Sequence, residues 1–202
     1  MTADGVGSIR PGGRTARTRA AVAAAMQAEL LEVGYAGTTI DRIAKRAGVA
    51  KTTVYRRWGN VSQLVVDMFA DAASTQIPVA DTGSIEGDLR ELARSSVALL
   101  LNPVNRAVID IVVSEAVHNS SARDTLTTFF AARLDNAAVI VQRAVERGEV
   151  PAGTDAAEVI RLVGAPYFAR LYITGDPIGM QDADRAAAVV ALAARSGLLV
   201  GV

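Results

Sequence analysis

The chain contains no cysteine, which excludes disulfide staples, thiolate metal sites and cysteine nucleophiles. It contains one histidine, His118. Glu115-Ala116-Val117-His118 matches the Glu-x-x-His pair of helical di-iron sites, but such a site needs two pairs, so the match is read as a stray one. A lone histidine acting as general base also needs a nucleophile and an orienting group. Ser114 and Ser120 flank it, yet no Gly-x-Ser-x-Gly elbow and no phosphate-binding loop occurs. Neither an enzyme, a metal site nor a cofactor is expected. Long apolar runs are lacking too: the longest, Ala186 to Ala194, is far too short to span a bilayer. The opening residues MTADGVGSIRPGGR have no apolar core of a signal peptide. These features predict a soluble, cytoplasmic protein with no membrane partner.

What the chain has is apolar residues, at 50%, led by alanine, with valine and then leucine next, and with glycine and proline confined to a few punctuation points. That profile predicts an all-α fold. The net charge is zero but unevenly spread. Residues 1–74 carry ten basic and six acidic side chains, and the remainder eleven basic and fifteen acidic. A basic first part suits a nucleic-acid partner, and an acidic second part suits another task.

The most informative stretch is Thr38 to Trp58, TTIDRIAKRAGVAKTTVYRRW. Its spacing predicts a helix from Thr39 to Ala47, started by a Thr38-x-x-Asp41 cap, with Ile40, Ile43, Ala44 and Ala47 on one apolar face. Gly48 stands where the chain needs a left-handed residue to stop. A second helix follows from Lys51 to Trp58. Val54 and Trp58 face inward; Thr52, Thr53 and Arg56 face outward, with Lys51 and Tyr55 beside them. Threonine can meet base edges or a thymine methyl, and arginine can clamp guanine. The pattern fits a helix-turn-helix whose second helix reads the major groove. It also fits an ordinary helical hairpin with a solvated polar face.

The neighbouring residues add to this. GYAGTTIDRIAKRAGVAKTTVYRRWGNVSQL, residues 34–64, resembles the DNA-binding domain of TetR/AcrR-type transcriptional repressors. The matching elements are G-Y, T-T, I-A, A-G-V and K-T-T-V-Y, then an aromatic three residues after the tyrosine and a leucine six further on. One departure is Val61, where the family usually carries a phosphate-contacting lysine after the polar cap, here Asn60. The resemblance implies that Thr38, Thr39, Arg42, Lys51, Thr52, Thr53, Tyr55, Arg56 and Asn60 are the DNA-binding residues. The implied partner is a double-stranded DNA operator.

Residues 1–13 are predicted to be a disordered basic arm, continued by Arg14, Arg17 and Arg19. A helix from Thr15 to Val33, with Val22, Met26, Leu30 and Val33 inward and Gly34 as its stop, completes a three-helix N-terminal domain over residues 14–62. A fourth helix starts at Asn60, buries Leu64, Val65, Met68 and Phe69, and runs to about Thr75. The loop Ile77 to Gly87 marks a boundary. Five helical segments follow: Leu89 to Leu101, Val104 to His118, Ala122 to Arg147, Asp155 to Thr174 interrupted at Pro166, and Asp182 to about Val200. Residues 63–202 are assigned as an effector-binding and dimerisation domain built as a helical bundle. Its last two helices are apolar on most sides, through Val159, Ile160, Val163, Gly164, Ala165 and the 186–194 run. They would be covered either in a homodimer, as the resemblance implies, or inside one core.

The aromatic residues Phe129, Phe130, Tyr167 and Tyr172, with His118, are the candidate ligand-binding residues; each also fits plain core packing. D-T-G-S, R-G-E-V-P and Y-F-A-R-L-Y-I-T-G-D-P resemble the effector domain of one TetR subgroup. The reading is a homodimeric, ligand-responsive repressor that leaves its operator when a small molecule binds. The alternatives are a constitutive DNA-binding regulator and a helical enzyme or metal carrier.

Overall fold

The computed structural model describes residues 12–73 and 79–201. Most of the arm expected over residues 1–13, the expected end of the fourth helix near Thr75 and the expected start of the loop at Ile77 lie outside them. The chain divides into two compact units, Met1–Met68 and Phe69–Val202. The division falls within a helix, not at residues 62/63 and not in the loop. The helix α4, Val61–Ala73, gives Leu64 and Val65 to one core and Phe69 to the other, so no irregular segment marks the change.

In the first unit, α1 spans Gly12–Gly37, α2 Ile40–Ala47 and α3 Lys51–Trp58. Val22, Ala25, Met26 and Leu30 of α1 meet Ile40, Ile43, Ala44, Val54, Trp58 and Leu64 in the core. Val33, expected inward, is 37% exposed. Helical geometry breaks beside it at Gly34, which takes φ 67° and ψ 179°, a region that glycine alone enters cheaply. The capping frame shifts by one residue from that expected. Thr38 is buried, and its hydroxyl donates to the Gly34 carbonyl at 2.7 Å. Thr39 is the N-cap of α2 instead, its hydroxyl oxygen accepting the Arg42 amide at 3.3 Å. Gly48 ends α2 in the left-handed region, with φ 65°.

The second unit comprises α5 Ile85–Leu101, α6 Pro103–His118, α7 Ser120–Ala137, α8 Val139–Glu146, α9 Ala156–Ala169 and α10 Met180–Arg195. α5 is its spine. Ile85, Leu89, Ala93, Val97 and Leu100 form one buried stripe, and α10 packs against α5 with Ala183, Ala187, Ala191 and Ala194 inward, small enough for close approach. Each fully buried leucine of this kind contributes about 1.5–3 kcal/mol. α5 and α6 meet at 86°, where Asn102 caps α6 by accepting the Val104 and Asn105 amides and Pro103 opens the helix. Among the described residues no single helix is long and apolar enough to cross a membrane.

Several boundaries differ from expectation, among them the start of α5, at Ile85 inside the expected loop rather than at Leu89. The long helix drawn over Ala122 to Arg147 is two helices meeting at Ala138; that residue keeps right-handed angles, φ −57° and ψ −26°, so no glycine, proline or side-chain cap marks the break. Pro166 does not interrupt α9; the helix runs on to Ala169 and widens into a π turn, Arg170–Thr174. α10 stops at Arg195, after which the chain returns to the start of α9. There the Asp155 amide donates to Leu199 at 2.7 Å and the Gly201 amide to Gly153 at 2.9 Å.

D-T-G-S and R-G-E-V-P meet at the start of α5. The buried Asp88 carboxylate accepts the Thr82 amide at 2.6 Å and hydroxyl at 2.7 Å. Gly87 has to be glycine, because a Cβ there would collide with that hydroxyl. Glu149 accepts the Ile85 amide at 2.9 Å and the Arg147 guanidinium at 2.5 Å, with Arg195 at 3.6 Å. A carboxylate from beyond α8 thus neutralises the positive end of α5.

Candidate nucleic-acid interface

α3 is held by two buried side chains, Val54 and Trp58, four residues apart, and this turns the rest of the helix outward. Lys51, Thr52, Tyr55, Arg56 and Arg57 are exposed, and Thr53 is half-buried. Exposed Thr39 and Asn60 flank the helix; Asn60 Oδ1 accepts the Gln63 amide at 2.8 Å as the cap of α4. Of the sequence-predicted DNA contacts, only Thr38 is buried.

Three cations at or near this face, Lys51, Arg42 and Arg46, have acidic partners within the unit. Lys51 Nζ lies 2.5 Å from Asp41 Oδ2 and 5.4 Å from the centre of the Tyr55 ring. The bond to Asp41 raises its ammonium above the ordinary lysine range. Arg42 and Arg46 both donate through Nε to Glu29, whose side chain is only 3% exposed, and Arg46 also reaches Glu32. The Arg42 bond, joined by that of Arg46, outweighs burial and holds the Glu29 carboxyl below the usual range. Arg56 and Arg57 supply further positive charge, with Arg57 4.9 Å from the centre of the Trp58 ring.

Sequence reasoning missed Glu29 and Asp67. Glu29 follows the apolar positions Val22, Ala25 and Met26 at helical spacing, and a carboxylate on a core-facing stripe signals a buried cation partner. Asp67 Oδ2 accepts the Trp58 indole at 2.6 Å and lies 3.1 Å from Arg19 Nη2. No sequence period signals that contact.

In the second unit the candidate ligand residues part company. His118 is exposed at the end of α6. Phe129 and Phe130 join a ring stack running from Phe69 through Phe129, Phe130 and Phe168 to Tyr172, with centroids 4.2, 5.4, 5.6 and 6.1 Å apart. At its far end the Tyr172 hydroxyl donates to Asp110 at 2.7 Å, and Arg106 pairs with the same carboxylate at 2.7 Å. Burial, then Asp110, push the Tyr172 hydroxyl above the ordinary tyrosine range. Tyr167 is buried apart from this stack, its hydroxyl without a protein hydrogen-bond partner and pushed up to about 12 by burial and by Asp182 and Asp184. A groove of about 210 Å³ lies elsewhere, between Leu162 and Pro166 of α9 and Ala186, Val189 and Val190 of α10. None of the five candidate ligand residues lines it. Among the described residues no three His, Asp or Glu side chains converge as a metal site would require.

Residues 22–68 match the family model of bacterial regulatory proteins of the tetR family, and residues 79–190 match that of the tetracyclin repressor-like C-terminal domain. The HTH-type transcriptional regulator YdeS of Bacillus subtilis is 31% identical over 161 residues, covering 80% of this chain and 81% of that protein. The DNA-binding transcriptional repressor TetR of Mycobacteroides abscessus is 31% identical over 168 residues, 79% of this chain and 84% of that one. A crystal structure of a TetR-family regulator from Mesorhizobium loti superposes with a TM-score of 0.70 at 21% identity, covering 91% and 97% of the two chains.

Proposed function

The chain belongs to the TetR family of bacterial transcriptional regulators, and from that premise we propose that it is a homodimeric repressor released from its operator by a small molecule. The observation that carries the DNA-binding half is α3: a short helix anchored by Val54 and Trp58 that turns Lys51, Thr52, Tyr55 and Arg56 to solvent. Such a helix fits the major groove, where Arg56 can meet a guanine edge and Lys51 a phosphate. Asn60, Thr39 and Tyr55 stand where backbone contacts fix the register.

Dimerisation is supported by the outer face of α9 and α10. Leu162 is 36% exposed, Val189 61% and Leu192 69%, a patch that isolated domains seldom leave to water. A two-fold pairing would give the assembly two copies of α3, one for each half-site of an inverted repeat.

For the effector, the ring stack ending in Tyr172, Asp110 and Arg106 supports a flat, apolar molecule with one polar end. The effector has to prefer the conformation that does not bind DNA, and its effect is limited to that preference. The direct ring-to-ring contacts also favour a second reading, a filled core with constitutive binding. Arg56→Ala tests the DNA assignment: roughly ten- to a hundredfold weaker binding to the preferred duplex, with relaxed preference at particular bases. Unchanged affinity and unchanged base preference would refute it.

A further inference from the structure

Asp67 sits on α4, outside the reading helix, yet it is where the first unit's helices meet. Its Oδ2 accepts the Nε1 proton of Trp58, the last residue of α3, at 2.6 Å. The same oxygen lies 3.1 Å from Arg19 Nη2 of α1, which also donates to the Asp67 backbone carbonyl at 3.1 Å. One residue therefore joins α1, α3 and α4 through charge-assisted bonds, which are shorter and stronger than neutral ones. Trp58 is 4% exposed, so its indole proton has no ready substitute in water. Immediately beyond it, Gly59 turns the chain with φ 73°, its amide donating to the Tyr55 carbonyl at 2.8 Å, and the Asp67 contact adds a side-chain tie across that turn.

We propose that Asp67 is the positioning residue of the DNA-reading helix: its carboxylate sets the angle at which α3 leaves α4, and through that angle the sequence specificity of binding. This rests on the reading of α3 as the DNA-contacting helix. Base readout requires side chains placed to within a fraction of an ångström, whereas non-specific binding is phosphate electrostatics and tolerates a tilted helix. The two effects of removing Asp67 oppose each other. Loss of a negative charge from a DNA-binding unit should tighten binding to any duplex. Loss of the positioning contact should weaken binding to the preferred duplex alone.

The test uses the full-length chain, the duplex it selects from a random pool, and a scrambled duplex of the same length and composition. Asp67→Ala is expected to lower affinity for the selected duplex at least tenfold while affinity for the scrambled one holds or rises. Asp67→Asn keeps an acceptor for Trp58 but lacks the charge for Arg19, so it should recover part of the loss. Trp58 is the chain's only tryptophan, so its emission reports the contact directly and should shift in Asp67→Ala more than in Asp67→Asn. Thermal melting of both variants checks that they fold. A folded Asp67→Ala that keeps the wild-type ratio of specific to non-specific binding overturns the proposal while the DNA-binding reading stands. A wild type with no preference for any duplex overturns both.

Discussion

Asp41→Asn should tighten DNA binding, although Asp41 makes an ion pair inside the reading unit. Its carboxylate holds Lys51 Nζ at 2.5 Å, and the two side chains are 54% and 55% exposed. Exposed pairs of this kind contribute little to stability, so opening one costs DNA binding about fivefold at most. Asparagine removes that competition and also takes one negative charge from beside the phosphates. Together these effects predict an affinity gain of roughly three- to tenfold near 0.1 M salt, shared by specific and non-specific duplexes. The dependence of log affinity on log salt should steepen by about 0.9, the increment for one extra phosphate neutralised. Stability should move the other way, and only slightly, because Asp41 lies in the first turn of α2 where a negative charge complements the helix dipole. Fluorescence anisotropy with a labelled duplex across a salt series reads both quantities. Unchanged affinity together with an unchanged slope would show that Lys51 does not reach the backbone and that α3 is docked differently.

Three further outcomes follow from other parts of the molecule. Burial alone would raise the Glu149 carboxyl, but the Ile85 amide, Arg147 and Arg195 hold it below the usual carboxylate range. A depressed carboxylate stabilises the fold above its unfolded pKa of about 4.3 and loses that contribution as pH falls through the folded value. Glu149→Gln should therefore lower the melting temperature by several degrees at pH 7, with the gap to wild type closing in acid; a gap independent of pH would contradict this. Ala165→Glu places a charge on the exposed face of α9 beside Gly164, and sedimentation should show monomers or aggregates while the first unit stays folded. A dimer identical to the wild type would remove α9 from the interface. Val61→Lys, at the start of α4, should add a phosphate contact and steepen the salt slope by about one unit; an identical slope would place that position away from DNA.

The helix-turn-helix was legible because its signals are local. Apolar residues recur every three or four positions, and Gly48 occupies the turn between α2 and α3, where the chain takes a positive φ. The errors cluster where a neighbour decides. Thr38 and Thr39 are equally good caps in sequence; burial of Thr38 against the Gly34 carbonyl assigns the task to Thr39. Val33 continues the α1 stripe on paper, but the break at Gly34 turns it outward. The joint at Ala138 has no residue signal at all, and Pro166 sits inside α9, which runs on past it to Ala169. In the candidate sites, the outward face of α3 could be read from its period. The partners of Lys51 and Arg42, and the role of Asp67, could not, because each depends on which helices pack together. His118 drew notice as the only histidine and proves to be an exposed helix end, whereas Arg106 and Asp110, at the polar end of the ring stack, were passed over.

Selection of bound duplexes from a random pool by the full-length protein tests the central claim most directly. The account predicts enrichment of an inverted repeat whose half-sites lie one helical turn apart, about 34–36 Å centre to centre, or a multiple of that. A pool that stays random, or that converges on a single unpaired half-site, would contradict a dimer reading DNA through α3.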